Sequence, residues 1–597
     1  MCAKQLELLS RCTGVKSRAV SRKYTLILQK LHWVALETLN TPDGRTMNTV
    51  ARLAVVMLTV VLLASSLRAE EPLYEGLGTT GREVTAANPE AAKYVVQGIK
   101  FLYGFSHGAA IRSFEQAIKL DPTCAMGYWG IAYANGPHVN FPLVPPPMAE
   151  AAWKNLQLAR QHAARCTAVE KDLIEALTAR YANPQPEDRS PLDKAYAEAM
   201  RKVWEKHPDD ADVGALFAEA MMDLSPWNQW MKDGSPNPGT EEIVATLEAV
   251  LKLNANHPFA NHLYIHAVEA SQHPEKAVAA ADRLRELQPG LAHNVHMPTH
   301  IDIRVGQWQK AIDWNAKAID SAVSYHKVSG PPKGLLIFYE AHNYHMLAYA
   351  ALMTGQRELA VRQSKAMVAS LPDDFVKEFS PMIEGFGAIP DEVMVRFGMW
   401  DEILAAPQPD KPYMPYTNAF HHGARAIALA AKGKTGDARA EQALWLEGLK
   451  KIPQDAIFHN NPMPAIYSLA STMIEGEILV REGKVEEGLS KLREAVPRED
   501  ALNYDEPPAW MIPSRHVLGA VLMRFNRAAE AERVYRADLA KLPDNGWSLF
   551  GLSQALKAQG KTDEAAQYQA KFEKVWAKAD IKIKSSCLCQ QDVAMAK

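Results

Sequence analysis

AAKYVVQGIKFLYGFSHGAAIRSFEQAIKLDP, residues 91–122, reads as two helices joined by a short turn. Tyr94, Gly98 and Phe101 fall on the first helix, and Ala110, Phe114 and Ala117 on the second, with Pro122 closing the unit. The small residues let the helices cross closely, the aromatics fill the gap between them, and the proline cannot continue the helix. The same offsets recur. Ala277, Ala281, Leu284 and Pro289 make one second helix; Ala311, Asn315 and Ala318 make another. Ala360, Ser364, Met367 and Pro372 make a third, and Ala531, Tyr535 and Pro543 one near the end. Further helix pairs read around 195–221, 240–253, 424–446 and 470–496, and a last pair at 546–576 begins at Trp547 and caps the stack. No stretch is strand-rich. Residues 137–148, 225–239, 326–335 and 405–417 are rich in Pro and Gly and read as loops. Long loops in a repeat array shape a binding face.

This spacing resembles the 34-residue tetratricopeptide repeat. The resemblance implies an all-α tetratricopeptide-repeat superhelix, an α-solenoid of helical hairpins, over about residues 85–580, with a tail at 581–597. It also implies that the first helix of each unit lines a concave groove, with its second, fifth, ninth and twelfth places inward. Counting back from the second-helix alanines, the unit of Ala277 places His262 fifth, His266 ninth and Glu269 twelfth. The unit of Ala311 places His293 second, His296 fifth and His300 ninth. The unit of Ala360 places His342 second, His345 fifth and Tyr349 ninth. Helical periodicity agrees independently, since residues spaced three, four and seven apart share a face.

Seven of the 19 histidines therefore occupy inward places of three consecutive helices. Neighbouring helices of a stack pack about 10 Å apart, so their imidazoles can converge. Imidazole is the commonest transition-metal ligand, and two histidines four apart on a helix present both rings to one side. Seven packed imidazoles without a cation would depress one another's pKa and leave buried polar atoms unpaired. The candidate ligand set is His262, His266, Glu269, His293, His296, His300, His342 and His345. It is rich in nitrogen, which suits Cu, Zn, Fe or Ni and disfavours Ca or Mg. Seven imidazoles exceed one ion's need, so either more than one ion binds or some histidines hold protons or orient ligands. The plainer alternative is a groove of polar histidines that binds water, a peptide or nothing.

Other residues read as structural. His107, His162, His207, His273, His326 and His459 are expected at the surface or at helix caps. His516 falls on an inward place several repeats away, His422 lies in a unit of uncertain register, and His138 sits in the loop GPHVN. EPPAW, Glu506 to Trp510, is a pocket-wall candidate or a plain turn. The stretch LAHNVHMPTHIDIR, residues 291–304, holds three of the histidines around a proline. A proline inside a helix costs roughly 3 kcal/mol. Either Pro298 kinks one helix, or it opens a helix as its first residue and leaves His293 and His296 on a loop.

Residues 47–69 have the layout of a secretory signal, with Arg52, an apolar run from Leu53 to Leu63 and small residues near Ala69. Residues 1–46 read as an upstream segment that is not part of the expressed protein, or as disordered. The chain is thus expected to be exported and periplasmic, touching a membrane only if the signal stays uncleaved. The whole chain has 66 Lys+Arg and 69 Asp+Glu. Leaving out residues 1–69, with ten Lys/Arg and three Asp/Glu, the remainder carries 56 against 66, net −10. An acidic exported chain is a poor nucleic-acid binder. Six cysteines are too few for a disulfide scaffold, though Cys124 and Cys166 can pair in an oxidising compartment; Cys587 and Cys589 read as tail thiols. HExxH, GxSxG, GxxxxGK[ST] and CxxC are absent, and GFGAIP at 385–390 follows no strand.

FSHGAAIRSFEQAIKLDPTCAMGYWGIAYA, NHLYIHAVEAS, HMPTHIDIRVGQW, HNYHMLAYAALMTGQ and EPPAWMIPSRHVLGAVLM together resemble a group of bacterial tetratricopeptide-repeat proteins. That resemblance implies the fold and no particular reaction. Proteins of this repeat more commonly serve as binding scaffolds, with grooves lined by Lys, Arg and Asn that grip peptide carboxylates; here the inward places hold His. The first functional expectation is an exported solenoid holding a His-ligated transition-metal centre that, if catalytic, activates water, oxygen or a bound small-molecule substrate. In that case Glu269 or a spare histidine moves protons. The alternatives are a periplasmic peptide- or protein-binding scaffold without catalysis, and a metal carrier or sensor.

Overall fold

The computed structural model describes residues 70–588. The segment 1–46, the signal-like stretch 47–69 and the last residues of the tail lie outside the described residues. Helices follow one another as antiparallel pairs: α1 (Pro89–Leu102) with α2 (His107–Leu120), α3 (Ala125–Ala134) with α4 (Pro146–His162), α5 (Ala168–Leu177) with α6 (Ser190–Lys206), and α7 (Ala211–Met222) with α8 (Thr240–Leu253). Then come α9 (Pro258–Val268) with α10 (Val278–Leu287), and the broken helix α11 (Ala292–His296) and α12 (Pro298–Arg304) with α13 (Trp308–Ser329). α14 (Leu335–Met353) pairs with α15 (Arg357–Ser370), followed by α16 (Asp373–Ile383), α17 (Gly385–Arg396) and α18 (Trp400–Ala405). The array ends with α19 (Pro415–Ala431) and α20 (Thr435–Leu449), α21 (Met463–Arg481) and α22 (Val485–Asp500), α23 (Ser514–Arg524) and α24 (Ala528–Lys541), and α25 (Gly546–Ala558) and α26 (Thr562–Val575). The described strands are β1 (Ile457–Phe458) and β2 (Asn461–Pro462), an antiparallel pair. The architecture is an all-α solenoid of tetratricopeptide-type hairpins. No described helix is long and apolar enough to cross a membrane.

The opening stretch folds as its residues require. Phe114 lies between α1 and α3, and a Cβ added at Gly98 or Gly130 would overlap its ring. Tyr535 is wedged in the same way between Gly519 and Gly551, two-thirds of the chain later. Second helices bury one face: α2 buries Ala109, Ala110, Ser113, Phe114, Gln116 and Ala117 and leaves Gly108, Glu115 and Lys119 to solvent. First helices differ. Every residue of α9 is buried, as is the whole run Asn343 and His345–Met353 of α14 apart from Tyr344. A helix buried all round is one surrounded by protein on every side.

The array closes on itself, and this departs from an open groove. Residues 77–301 share one apolar core and residues 303–588 another. In the first half, Gly290 N–H donates to Gly76 O at 2.8 Å, and Gly104 abuts Leu291 and Asn294. In the second, Trp547 Nε1 donates to Leu352 O at 2.8 Å, and Trp308 Nε1 to Pro543 O at 2.9 Å. Each half thus bends until its last hairpin meets its first. The helices α9, α11, α12 and α14 fall where the two turns join, so their inward places are sealed rather than open.

Some loop expectations shift. Residues 326–329 continue α13, and Pro146 and Pro147 open α4 rather than break it, because proline suits the first helical turn. Pro298 opens α12, while His293 and His296 sit on the short helix α11 and not on a loop. Cys124 and Cys166 are free buried thiols, so the disulfide considered for them is not formed.

Candidate metal centre

Three groups of side chains stand close enough to share an ion: His262, His266 and His293; His296, His300 and His342; and His266, Glu269 and His300. Within each group the ligand atoms lie within 4.8 Å of one another. Four residues separate His262 from His266 on α9, which brings their ring centroids to 5.0 Å. His293, from α11, meets His262 at 4.9 Å. The break at Met297–Pro298 then separates neighbours in sequence: His293 stays with α9, while His296 turns to His300 at 4.8 Å and to His342 of α14 at 4.6 Å.

The hydrogen bonds fix which nitrogen of each ring carries the proton. His262 Nδ1 donates to the carbonyl of Tyr103 at 2.8 Å, and His266 Nδ1 to Glu269 Oε1 at 2.8 Å. His300 Nδ1 donates to Glu269 Oε2 at 2.7 Å and also meets Glu506 Oε2. His296 Nδ1 faces Asn315 Oδ1 at 2.6 Å. Asn315 spends its amide nitrogen on Ala311 O at 2.9 Å and Thr299 Oγ1 at 3.1 Å, so its oxygen is what His296 sees. With Nδ1 protonated, Nε2 of His262, His266 and His296 is a lone pair, while Nε2 of His300 carries a proton whenever that ring is charged.

Those lone pairs converge. Nε2 of His262 and of His266, and both nitrogens of His293, are buried without a hydrogen-bond partner. In the second group His300 Nε2 lies 2.8 Å from His296 Nε2 and 3.4 Å from His342 Nε2. At that separation the nitrogens need a cation between or beside them, and the Nε2 proton of charged His300 supplies one in the metal-free chain. Burial and His300 push His266 down to about 3, and burial with His266 holds His262 well below the usual range. His300 goes the other way. Burial works against its charge, but Glu506 and Glu269 outweigh it and raise the group to about 10. Burial and Glu269 push Glu506 up to about 8.

The walls are apolar and strained. The Phe105 ring packs on His262 at 4.5 Å and His293 at 5.7 Å, and Tyr339 stacks on His293 at 4.4 Å. Trp227, from the 225–239 loop, meets His266 edge-on at 5.1 Å. Phe105, Trp227 and His459 adopt φ of 49°, 60° and 51°. Bulky L residues pay about 1–2 kcal/mol for left-handed backbone, and such outliers gather at functional sites.

Of the eight candidate ligands, seven fall in the three groups. His345 is buried but stands apart, with Nε2 3.3 Å from Met511 Sδ and its ring 5.6 Å from His459. His459 and His107, expected at the surface, are half-buried beside the cluster. His138 is 1% exposed and meets the His107 ring at 4.3 Å and the Phe105 ring at 4.7 Å. His516 lies elsewhere, donating to Asp538 at 2.8 Å and accepting from Arg396 at 2.9 Å. His422 pairs with Glu441 and His207 with Asp172. Glu506, read only as part of a pocket wall, is a direct partner of His300. Asn315, read as a helix-packing residue, orients His296.

No family model and no curated protein matches the chain. Among solved structures, a human IFIT1 dimer with PPP-AAAA is similar at 12% identity, covering 82% of this chain and 92% of its own, with a TM-score of 0.30. The APC/C hetero-tetramer Cut9–Hcn1 gives 10% identity, 88% and 79% coverage and a TM-score of 0.30. The P58(IPK) TPR domain gives 12%, 81% and 93%, and 0.19. The fold described above stands on its own helix pairs.

Proposed function

We propose that this protein is a transition-metal protein whose buried histidines at the junction of the two turns are the ligands. One observation carries the reading: four triad rings hold their Nδ1 protons on oxygen acceptors, so their Nε2 atoms face inward, toward one another and away from water. Each unpaired buried nitrogen costs about 1–3 kcal/mol, and several sit together here. A metal ion removes that cost at once, and ligating histidines commonly hold their second nitrogen on a carboxylate or carbonyl in this way.

The donor set fits Cu, Zn, Fe or Ni. Six imidazole nitrogens are free to ligate, whereas both oxygens of Glu269 are already taken by Nδ1 protons. Hard, oxygen-seeking Mg and Ca find no oxygen cage among these groups. When bound, such an ion supplies Lewis acidity or electron transfer. The chain's own residues hold the rings in register, and Phe105, Tyr339 and Trp227 keep water away. The same reading takes the protein to be exported, on the strength of the signal-like layout of residues 47–69.

Elemental analysis tests it. The full-length protein, purified from cells supplied with Zn, Cu, Fe and Ni, is expected to carry stoichiometric metal. Sub-stoichiometric metal under all four conditions overturns the proposal. Sequencing the N-terminus of the exported protein checks the other half, with a start near residue 70 expected and an intact Met1 against it.

A further inference from the structure

The geometry points to a two-ion centre: one ion on His262, His266 and His293, a second on His296, His300 and His342, with Glu269 tying the two sets together. This rests on the metal reading above and deepens it. The argument is one of separate frames. Metal–imidazole bonds are about 2.0–2.1 Å long, so nitrogens around one ion sit only about 3–4 Å apart. Within each triad the ligand atoms lie within 4.8 Å of one another, close enough for small ring rotations to bring them to that spacing.

The triads do not merge into one six-nitrogen shell, because their rings are anchored on different supports. His262 hangs on the Tyr103 carbonyl, 159 residues away in sequence, and His296 on Asn315. The rings nearest each other across the divide, His293 with His296 and His266 with His300, have centroids 6.1 and 6.0 Å apart. Glu269 sits between them and gives one oxygen to each side, Oε1 to His266 and Oε2 to His300. The third possible group, His266, Glu269 and His300, is that same bridge: an ion there would compete with the two hydrogen bonds that aim the triads.

The two sites differ in access. His262, His266 and His293 are 0%, 4% and 5% exposed and lie under Phe105 and Tyr339. The second triad includes the half-buried His342, beside the half-buried His459 at 6.0 Å. The second ion is therefore the one that meets an outside ligand or substrate, and the first is the sealed one.

Titration of metal-free full-length protein with Cu(II), and separately Zn(II), tests this, using two single variants. His293 makes no hydrogen bond, so His293→Ala breaks none, and His342→Ala removes a ring of the second triad alone, besides its contact with His459. Two ions per wild-type chain are expected. Each variant should retain one tight ion and weaken the other by more than about 10–100-fold, the loss that even an outer partner causes. In the wild type, a chelator should strip one ion faster than the other, and His342→Ala should lack the fast phase. One ion per wild-type chain, lost in both variants, overturns the two-ion centre and leaves the metal reading standing. No ion in the wild type overturns both. Should either variant misfold by circular dichroism, the wild-type stoichiometry still decides.

Discussion

Glu269 Oε2 accepts the Nδ1 proton of His300 at 2.7 Å across a gap of 31 residues, joining the end of α9 to α12. The backbone that carries it is held by Arg304, whose Nε donates to the Glu269 carbonyl at 2.9 Å and Nη2 to the Ser271 carbonyl at 2.9 Å. Its other oxygen orients His266. Glu269→Gln leaves one amide oxygen to serve two protons and places an N–H against one ring. Metal affinity is expected to fall about 10–100-fold with helical content unchanged, as read by competitive chelator titration and circular dichroism. An affinity equal to the wild type would show that the bridge is not orienting ligands.

Metal uptake should release protons. Between Glu506 and Glu269, His300 is held protonated up to about 10, so near neutral pH it carries an extra proton in the metal-free chain. A metal ion at that triad takes the place of the Nε2 proton. The sign follows: affinity rises with pH, about tenfold per unit, up to the folded pKa of His300. Calorimetric titrations in buffers of different ionisation enthalpy should show about one proton released for the second-triad ion, and fewer in His342→Ala if that ion no longer binds.

The hairpin crossing at Phe114 offers a test of the fold. Gly98 and Gly130 both face its ring, with no room for a methyl group. Gly98→Ala should lower stability by about 1–3 kcal/mol, the usual cost of overpacking, despite alanine's better helix propensity. Urea unfolding would show a lower midpoint, and an unchanged or higher one would mean that the helices separate freely.

Closure of the second turn rests partly on Trp547, which is fully buried and donates to the Leu352 carbonyl. Trp547→Phe keeps most of the apolar contact but leaves that carbonyl only its weaker backbone partners, such as Gly355 N–H at 3.5 Å. A loss of about 1–3 kcal/mol is expected. Amide exchange should quicken first at the C-terminal end of α14 and in α25, while the first turn keeps its protection.

Much of the histidine cluster was legible because helical register is local. The offsets from Ala277, Ala311 and Ala360 put His262, His266, Glu269, His293, His296, His300, His342 and His345 on one side of three helices, and seven of these meet. Nothing local marks Glu506 as the partner of His300, since EPPAW lies more than 200 residues along the chain and makes an irregular segment. His138, His107 and His459 looked like loop or surface residues for the same reason. A loop residue's burial is set by what folds over it, and a repeat pattern is silent on that.

The sequence by itself determined the helix pairs, their order and which faces turn inward, because each hairpin is held by contacts within about one repeat and its spacing is written in Gly, Ala and aromatic residues. Only the tertiary structure decided that the inward faces are sealed. Curvature accumulates over many repeats until Trp547 meets Leu352 and Gly76 meets Gly290, and no single repeat encodes that sum. It also decided how the histidines divide. The break at Pro298 sends His293 one way and His296 another, and Tyr103, Asn315 and Glu269, from three separate elements, supply the acceptors that turn the Nε2 atoms of four rings inward.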